Sequence, residues 1–230
     1  MNELLLNSGY FGFVITLGAY LLGLQVKRKT KLAIMNPLLV AVTLIILFLV
    51  VFRIDYEVYQ KGSQYVSYLL TPATVCLAIP LYRQLRLLKD HLAAVAGGIA
   101  SGVLASILSI YAMSRLFGLS HEYYVTLLPK SITTAIGMGV SQEAGGIVVL
   151  TVVSIILTGI LGNVIGEAVF RLFSISDPIA KGLALGTSAH AIGTAKALEL
   201  GEIEGAMSSL AIAVAGLLTV AAVPLVSGWI

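Results

Sequence analysis

Residues 92–114 read LAAVAGGIASGVLASILSIYAMS and contain no Asp, Glu, Lys or Arg. A helix of about 20 such residues crosses roughly 30 Å of hydrocarbon. Backbone groups in lipid must bond internally, and these runs lack the alternation of a β-barrel, so they predict helices. We therefore expect an all-α, polytopic transmembrane helical bundle. Five further charge-free runs support it, at 4–26, 32–52, 62–82, 147–166 and 205–230.

The amino-acid composition agrees with a chain that is embedded in the lipid bilayer. Hydrophobic residues make up 58% of the 230 residues and charged residues only 11%, against about 25% charged in soluble domains. The length predicts a single integral membrane domain, 1–230. The net charge of +3 gives no reason to expect a nucleic-acid partner.

Half of the basic residues fall in two short clusters between apolar runs. By the positive-inside rule both clusters face the cytoplasm, which places the N-terminus outside. The clusters are Lys27, Arg28, Lys29 and Lys31, and Arg83, Arg86 and Lys89.

Two prolines interrupt the third apolar run. Pro72 and Pro80 each remove a helix hydrogen bond, so this run is expected to be kinked or unwound. The break would expose backbone near Thr71 and Thr74, which makes both threonines candidate substrate-binding residues.

The second half contains two segments that are apolar but too short and too polar for ordinary spans, 123–146 and 178–205. Five identities in the sixteen positions from 131 to 146 relate them at a shift of 56 residues, which predicts broken or re-entrant helices and a weak internal repeat. The possible repeat units are 119–173 and 174–230, after N-terminal spans in 1–118. Paired, interrupted segments of this kind are typical of a transporter binding site. The orientation of the units and the number of full spans stay open. The matches are Ala135, Ile136 and Gly137 on Ala191, Ile192 and Gly193, Glu143 on Glu199, and Gly145 on Gly201.

Lys130 is the first candidate for charge recognition. It follows Pro129, which suits a first helical turn with free backbone N–H groups, and it precedes Ser131, Thr133 and Thr134. A cation beside such groups suits an anion, especially a carboxylate. The alternative is a lysine that extends to the membrane interface.

His190 is the second candidate, within the sequence GTSAHAIGT. A histidine exchanges a proton near neutral pH, and Gly193 allows close approach of backbone or ligand. Thr187, Ser188 and Thr194 add hydroxyls to this segment. A packing histidine with a hydrogen-bond partner is the alternative.

Lys196 lies three residues before Glu199, and Glu202 lies three residues further on. On one helix these side chains form an ion-paired face. A substrate-site role for Lys196 and a charged helix end are equally compatible with this spacing.

The motifs of common enzymes and nucleotide sites are missing from the sequence, including G-x-S-x-G, H-E-x-x-H and the P-loop. We therefore expect no catalytic residues and no enzyme activity. We also expect no cofactor and no metal, since Cys76 is the single cysteine.

Three motifs resemble the LrgB/CidB (antiholin-like) family, and the resemblance covers essentially the whole chain. The motifs are LTPAT with IPLY at 70–74 and 79–82, LPKSITT at 128–134, and ALGTSAHAIGTAK at 184–196. The resemblance implies a multi-pass protein of the bacterial inner (plasma) membrane. It also implies a small holin-like membrane protein as partner and a link to murein hydrolase export and cell lysis. Relatives, including the plastid glycolate/glycerate transporter, carry small organic acids.

Residues and resemblance together predict a membrane transporter or permease for a small monocarboxylate, pyruvate-like or glycolate-like. The alternative is an antiholin-like regulator of a holin-like pore that controls murein hydrolase export and lysis. The buried polarity around Lys130 and His190 favours a transported ligand. The substrate, coupling to a proton or sodium, and a possible homo-oligomer stay open.

Overall fold

The computed structural model describes residues 10–30, 35–69, 72, 75–76 and 78–230, and all regular secondary structure in these residues is helical. This confirms the predicted all-α class. The chain forms two compact units, Met1–Cys76 and Leu77–Ile230.

The first unit contains α1 (Phe11–Thr30), α2 (Pro37–Val51) and α3 (Tyr56–Ser67). The hydroxyls of Thr16 and Tyr59 join α1 to α3 at 2.9 Å. The Asn36 side chain begins α2 by accepting the backbone N–H groups of Leu38 and Leu39, which is a typical N-cap.

Two of the predicted runs in this unit form shorter helices than expected. The helix α2 has 15 residues, fewer than the roughly 20 that span a bilayer. The helix α3 ends at Ser67, so 62–82 is not one continuous helix. Thr71 and Thr74, the candidates from this run, lie outside the described residues.

The second unit carries the rest of the described helices. They are α4 (Ala78–Arg83), α5 (Leu85–Asp90), α6 (Leu92–Phe117), α7 (His121–Leu127), α8 (Thr134–Glu143), α9 (Val148–Leu172), α10 (Pro178–Leu200) and α11 (Glu202–Val226), followed by a 3₁₀ turn at Ser227–Trp229. Among the described residues, three helices are long and apolar enough to cross a membrane: α6, α9, and α11 with its 3₁₀ extension.

Close contacts with the first half of α10 give the directions of these three spans. The spans α6 and α11 run parallel to it, whereas α9 runs antiparallel. The contacting pairs are Gly98–Leu183 and Gly102–Thr187 for α6, Gly182–Met207 and Gly186–Ala211 for α11, and Gly166–Leu185 and Gly162–Ala189 for α9. Asp177 and Glu202 therefore lie at one end of the unit, which we call the Asp177 end. Gly118 and Ile230 lie at the other, the Gly118 end.

The helix α10 is a hairpin of two helical halves, 178–189 and 191–200, with the reversal at His190. His190 has φ 43° and ψ −137°, outside the helical region. Residues eight apart on a continuous helix are about 12 Å apart, yet a Cβ on Gly193 would overlap the carbonyl oxygen of Leu185. The chain therefore turns back at His190, and we call Pro178–Leu200 hairpin 2.

Residues 121–143 form a second hairpin, made of α7, a turn and α8, which we call hairpin 1. A Cβ on Gly137 would lie 3.5 Å from the carbonyl oxygen of Pro129, so this chain also turns back. The prediction that Pro129 begins a helix is wrong. Pro129 lies in the turn, and α8 begins at Thr134 after the extended residue Thr133.

The two hairpins repeat the same contacts at the 56-residue shift. The pair Pro129–Gly137 corresponds to Leu185–Gly193. The Thr151 hydroxyl of α9 donates to the Thr126 carbonyl of hairpin 1 at 2.9 Å. At the 56-residue shift these positions correspond to Met207 and Gly182, which are also in contact. Hairpin 1 thus packs on α9 as hairpin 2 packs on α11. Since α9 and α11 are antiparallel, the hairpins enter the unit from opposite ends.

Hairpin 1 is anchored in the hydrophobic core of the second unit. Tyr124, Val125 and Leu128 are fully buried against α6 and α11. The Tyr124 hydroxyl donates to the Val226 carbonyl at 3.0 Å. These contacts hold the turn of hairpin 1 between the spans.

Candidate functional site

Lys130 lies at the turn of hairpin 1 and is partly buried. Its Nζ donates to Ser131 Oγ at 2.8 Å and makes a long contact of 3.5 Å to Ser106 Oγ on α6. Ser106 Oγ also donates to Ser131 Oγ at 3.2 Å. A lysine ammonium has three donors, so one remains for a ligand oxygen.

A groove of about 870 Å³ leads to this ammonium. Its walls are α6 and the first half of hairpin 2, and it runs from Lys130 to Asp177 at the Asp177 end. Glycine and alanine line much of it, which leaves room between the helices. Six hydroxyl residues line the same groove: Ser101, Ser106, Ser109, Ser131, Thr187 and Ser188.

The groove therefore joins residues from distant parts of the sequence. Lys130 and Ser131 come from hairpin 1, and Thr187 and Ser188 from hairpin 2. In the described lining, Lys130 is the cationic side chain and Asp177 the anionic one. A small anion that follows the groove would find positive charge at its inner end.

Most hydroxyl hydrogens of the walls are committed to backbone carbonyls within their own helices. Ser109 donates to Ser106 at 2.8 Å, Thr187 to Leu183 at 2.8 Å, and Ser188 to Ala184 at 2.6 Å. Bonds of this kind satisfy the hydroxyls without a partner helix. The described hydroxyls that line the groove thus do not bond across from one wall to the other, although the walls touch at Gly98 and Gly102.

His190 is buried at the turn of hairpin 2 and is not part of the groove lining. Its Nε2–H donates to the Ile155 carbonyl on α9 at 2.8 Å. A non-glycine residue with positive φ costs roughly 1–3 kcal/mol and persists only where its surroundings hold it. The contact with Ile155 is one such restraint.

Gly193 and Thr194 follow His190 in the second half of hairpin 2, and both are buried. Thr194 Oγ1 donates to the His190 carbonyl at 3.2 Å and lies 2.7 Å from Ser208 Oγ on α11. Gly193 packs on the first half of the hairpin. These residues hold the two halves of the hairpin together and are not in the groove lining.

Lys196 belongs to a separate cluster near the Asp177 end. Its Nζ lies 2.5 Å from Glu167 Oε1 on α9 and 3.3 Å from Glu199 Oε2. The predicted pairing of Lys196 with Glu199 is thus confirmed. Glu202 does not share their helix, because α10 ends at Leu200, and it pairs instead with Arg83 at 3.7 Å.

Thr133 and Thr134 lie at the start of α8 and are partly buried. They are not in the groove lining. The structure therefore brings Lys130, Ser131, Thr187 and Ser188 together, and leaves the other described candidates outside the groove.

Sequence reasoning missed the α6 wall and Glu167. Ser101, Ala105 and Ser109 recur at a spacing of four residues, which places small and hydroxyl residues on one helix face. That periodicity was available in the sequence. Glu167 offers the weaker signal of a lone carboxylate near the end of an apolar run.

Among the described residues, no group of three or more His, Cys, Asp or Glu side chains is placed to hold a metal ion. The model of the LrgB-like family matches residues 16–229 of this chain. No solved structure matches it.

Proposed function

This chain belongs to the LrgB-like family of membrane proteins, and we propose that it carries a small organic monocarboxylate across the membrane. The observation that supports this is the Lys130 ammonium at the inner end of a hydroxyl-lined groove between α6 and hairpin 2. The proposal is one of transport without a chemical reaction.

The chemistry of the groove fits a carboxylate. An anion that leaves water loses its hydration, and a buried positive partner must compensate for that loss. Lys130 supplies the charge, and Ser131 and Ser106 hold its ammonium in position. The volume of about 870 Å³ admits a small organic acid of the pyruvate or glycolate class with water around it.

The architecture fits a carrier. In many secondary transporters two inverted units bring broken helices together near the middle of the membrane, and the substrate binds there. The first half of hairpin 2, residues 178–189, is about 18 Å long at 1.5 Å per residue, against roughly 30 Å of hydrocarbon. A hairpin of this length reaches the middle of a bilayer and returns.

The family and the basic clusters support a proposed location and partner. We place the chain in the bacterial inner membrane with the clusters at 27–31 and 83–89 in the cytoplasm. Arg83 pairs with Glu202, so the Asp177 end would face the cytoplasm. A small holin-like membrane protein is the expected partner, and assembly into a homo-oligomer remains part of the proposal.

The test is uptake of labelled pyruvate and labelled glycolate by liposomes that contain the purified protein, with and without the small partner. We expect saturable uptake that protein-free liposomes lack. If neither acid enters in either preparation, the alternative of a regulator of a holin-like pore becomes the better description.

A further inference from the structure

The second half of hairpin 2 is tied to α9 by polar contacts along its length. Asn163 Nδ2 donates to the Ile192 carbonyl at 3.2 Å, and Lys196 pairs with Glu167 at 2.5 Å. The Lys196 side chain is only 15% exposed and that of Glu167 is 46% exposed. Water therefore screens this ion pair less than it screens a surface pair.

Hairpin 1 makes the corresponding contact with α11, and there valines occupy both of the positions that carry the ion pair between hairpin 2 and α9. At the 56-residue shift, Lys196 corresponds to Val140 and Glu167 to Val223. Val140 and Val223 line a cavity of about 320 Å³ between α8 and α11. The two hairpins are thus attached to their neighbouring spans by different kinds of contact.

Hairpin 2 forms a wall of the groove, so its position controls access to Lys130. The two halves of the hairpin pack on each other at Gly193 and Leu185, so they move together. The ion pair draws the hairpin toward α9. Without it, the hairpin keeps its packing on α6, α11 and, at Gly162 and Gly166, on α9. The part that carries Lys196 is then no longer drawn toward α9, and a shift of the hairpin toward α6 narrows the groove.

We propose that Glu167 is a positioning residue that acts through Lys196: their ion pair holds hairpin 2 against α9 and thereby keeps the groove to Lys130 open. The relevance of this ion pair to transport rests on the proposed function. Its effect on the groove does not, because groove access is measured without substrate.

The experiment measures groove access with a cysteine at Ala105, a groove-lining residue of α6, after Cys76→Ser removes the native thiol. The purified full chain is treated with a small water-soluble thiol reagent. We expect Glu167→Gln and Lys196→Met each to slow modification of the Ala105→Cys thiol about tenfold, equivalent to about 1.4 kcal/mol. The double exchange Glu167→Lys with Lys196→Glu, made with Glu199→Gln so that residue 196 does not face a second carboxylate, should restore the rate.

Glu143→Gln is the matched control, because Glu143 occupies in hairpin 1 the position of Glu199 in hairpin 2 and should leave the rate unchanged. Size-exclusion profiles identify single variants that fail to fold. In that case the modification rate of the double exchange tests the proposal. An unchanged or faster rate in folded single variants overturns the proposal, as does a double exchange that folds and stays slow. Slowed modification with rescue, in a protein that carries neither acid, would support the ion-pair role while refuting the proposed transport.

Discussion

Hairpin 1 and hairpin 2 follow the same course through the second unit, yet they place charge differently. Hairpin 1 has a cation at its turn, Lys130, where hairpin 2 has Gly186 at the corresponding position. Hairpin 2 has a cation in its second half, Lys196, where hairpin 1 has Val140. One hairpin therefore presents its charge to the groove, and the other uses its charge to hold a neighbouring helix.

The difference shows how two similar backbones acquire separate roles. A lysine at a turn beside an open groove keeps a donor for a ligand, as Lys130 does. A lysine beside Glu167 and Glu199, as Lys196 is, forms ion pairs within the protein instead. Glycine at 186 also lets α11 approach hairpin 2 closely, which a lysine there would prevent.

The largest expected effect concerns the ends from which the hairpins enter. In intact cells, with Cys76→Ser, an impermeant thiol reagent should label Glu122→Cys near the start of hairpin 1 and miss Ser176→Cys before hairpin 2. Both positions are exposed. Arg86→Cys and Lys29→Cys should be missed as well. Labelling of both hairpin entrances from outside would break the inverted arrangement, and labelling of a basic cluster would reverse the orientation.

Loss of the Lys130 charge should abolish transport while insertion and folding survive. Removing one partner of a buried charge pair costs roughly 3–5 kcal/mol, more than a hundredfold in affinity. We expect this for Lys130→Ala and Lys130→Gln, whereas Lys130→Arg should keep part of the activity because its guanidinium is larger and planar. Uptake at matched protein levels is the measurement. Near-normal uptake by Lys130→Ala would mean that the lysine only reaches toward the interface, and Lys196 would become the candidate for charge recognition.

The turn of hairpin 2 should respond through stability and through pH. His190→Ala removes a buried hydrogen bond to Ile155 and should cost about 1–3 kcal/mol of unfolding free energy, measured by thermal unfolding in detergent. His190→Gln keeps a donor but carries no charge near neutral pH. If His190 couples proton movement, this variant should keep substrate exchange and lose pH-dependent accumulation. Unchanged pH dependence would leave His190 a packing residue.

The smallest expected effect is at the α6 wall. Ser106→Ala removes a hydroxyl that contacts both Lys130 and Ser131, and a hydrogen bond is worth about 0.5–1.5 kcal/mol net. The concentration for half-maximal uptake should rise about three- to tenfold, with little change in maximal rate. Ser109→Ala is the control, since its hydroxyl bonds within its own helix. Equal effects at both positions would argue against a special role for Ser106.

Much of the fold could be predicted because hydropathy is a local property. The runs containing α6, α9 and α11 can be recognised in the sequence, since a helix needs about 20 consecutive apolar residues to cross a bilayer. The interruption near Pro129 was also predictable, because proline lacks a backbone donor. The start of α8 could not be predicted, because the helix begins at Thr134, after the extended residue Thr133, and contacts with other helices set the turn before it.

The candidate site could be predicted only in part. Lys130, Ser131, Thr187 and Ser188 were all singled out from polarity within apolar segments, and they line one groove. Thr194 and Gly193 were singled out by the same reasoning but are not in the groove lining. Polarity identifies residues that need partners, and it does not tell a partner inside the protein from a ligand.

The sequence by itself determined that this chain is a helical membrane protein of its family with two polar, interrupted segments. Composition and motifs depend only on residues that are close together in the chain. The tertiary structure decided what those segments do. Whether the chain continues or turns back at His190 depends on Ile155 and Gly159 from another helix. Ser106 and Glu167 gain their roles only when α6 and α9 reach the hairpins. These contacts join residues that are far apart in the chain, and only the packed structure specifies them.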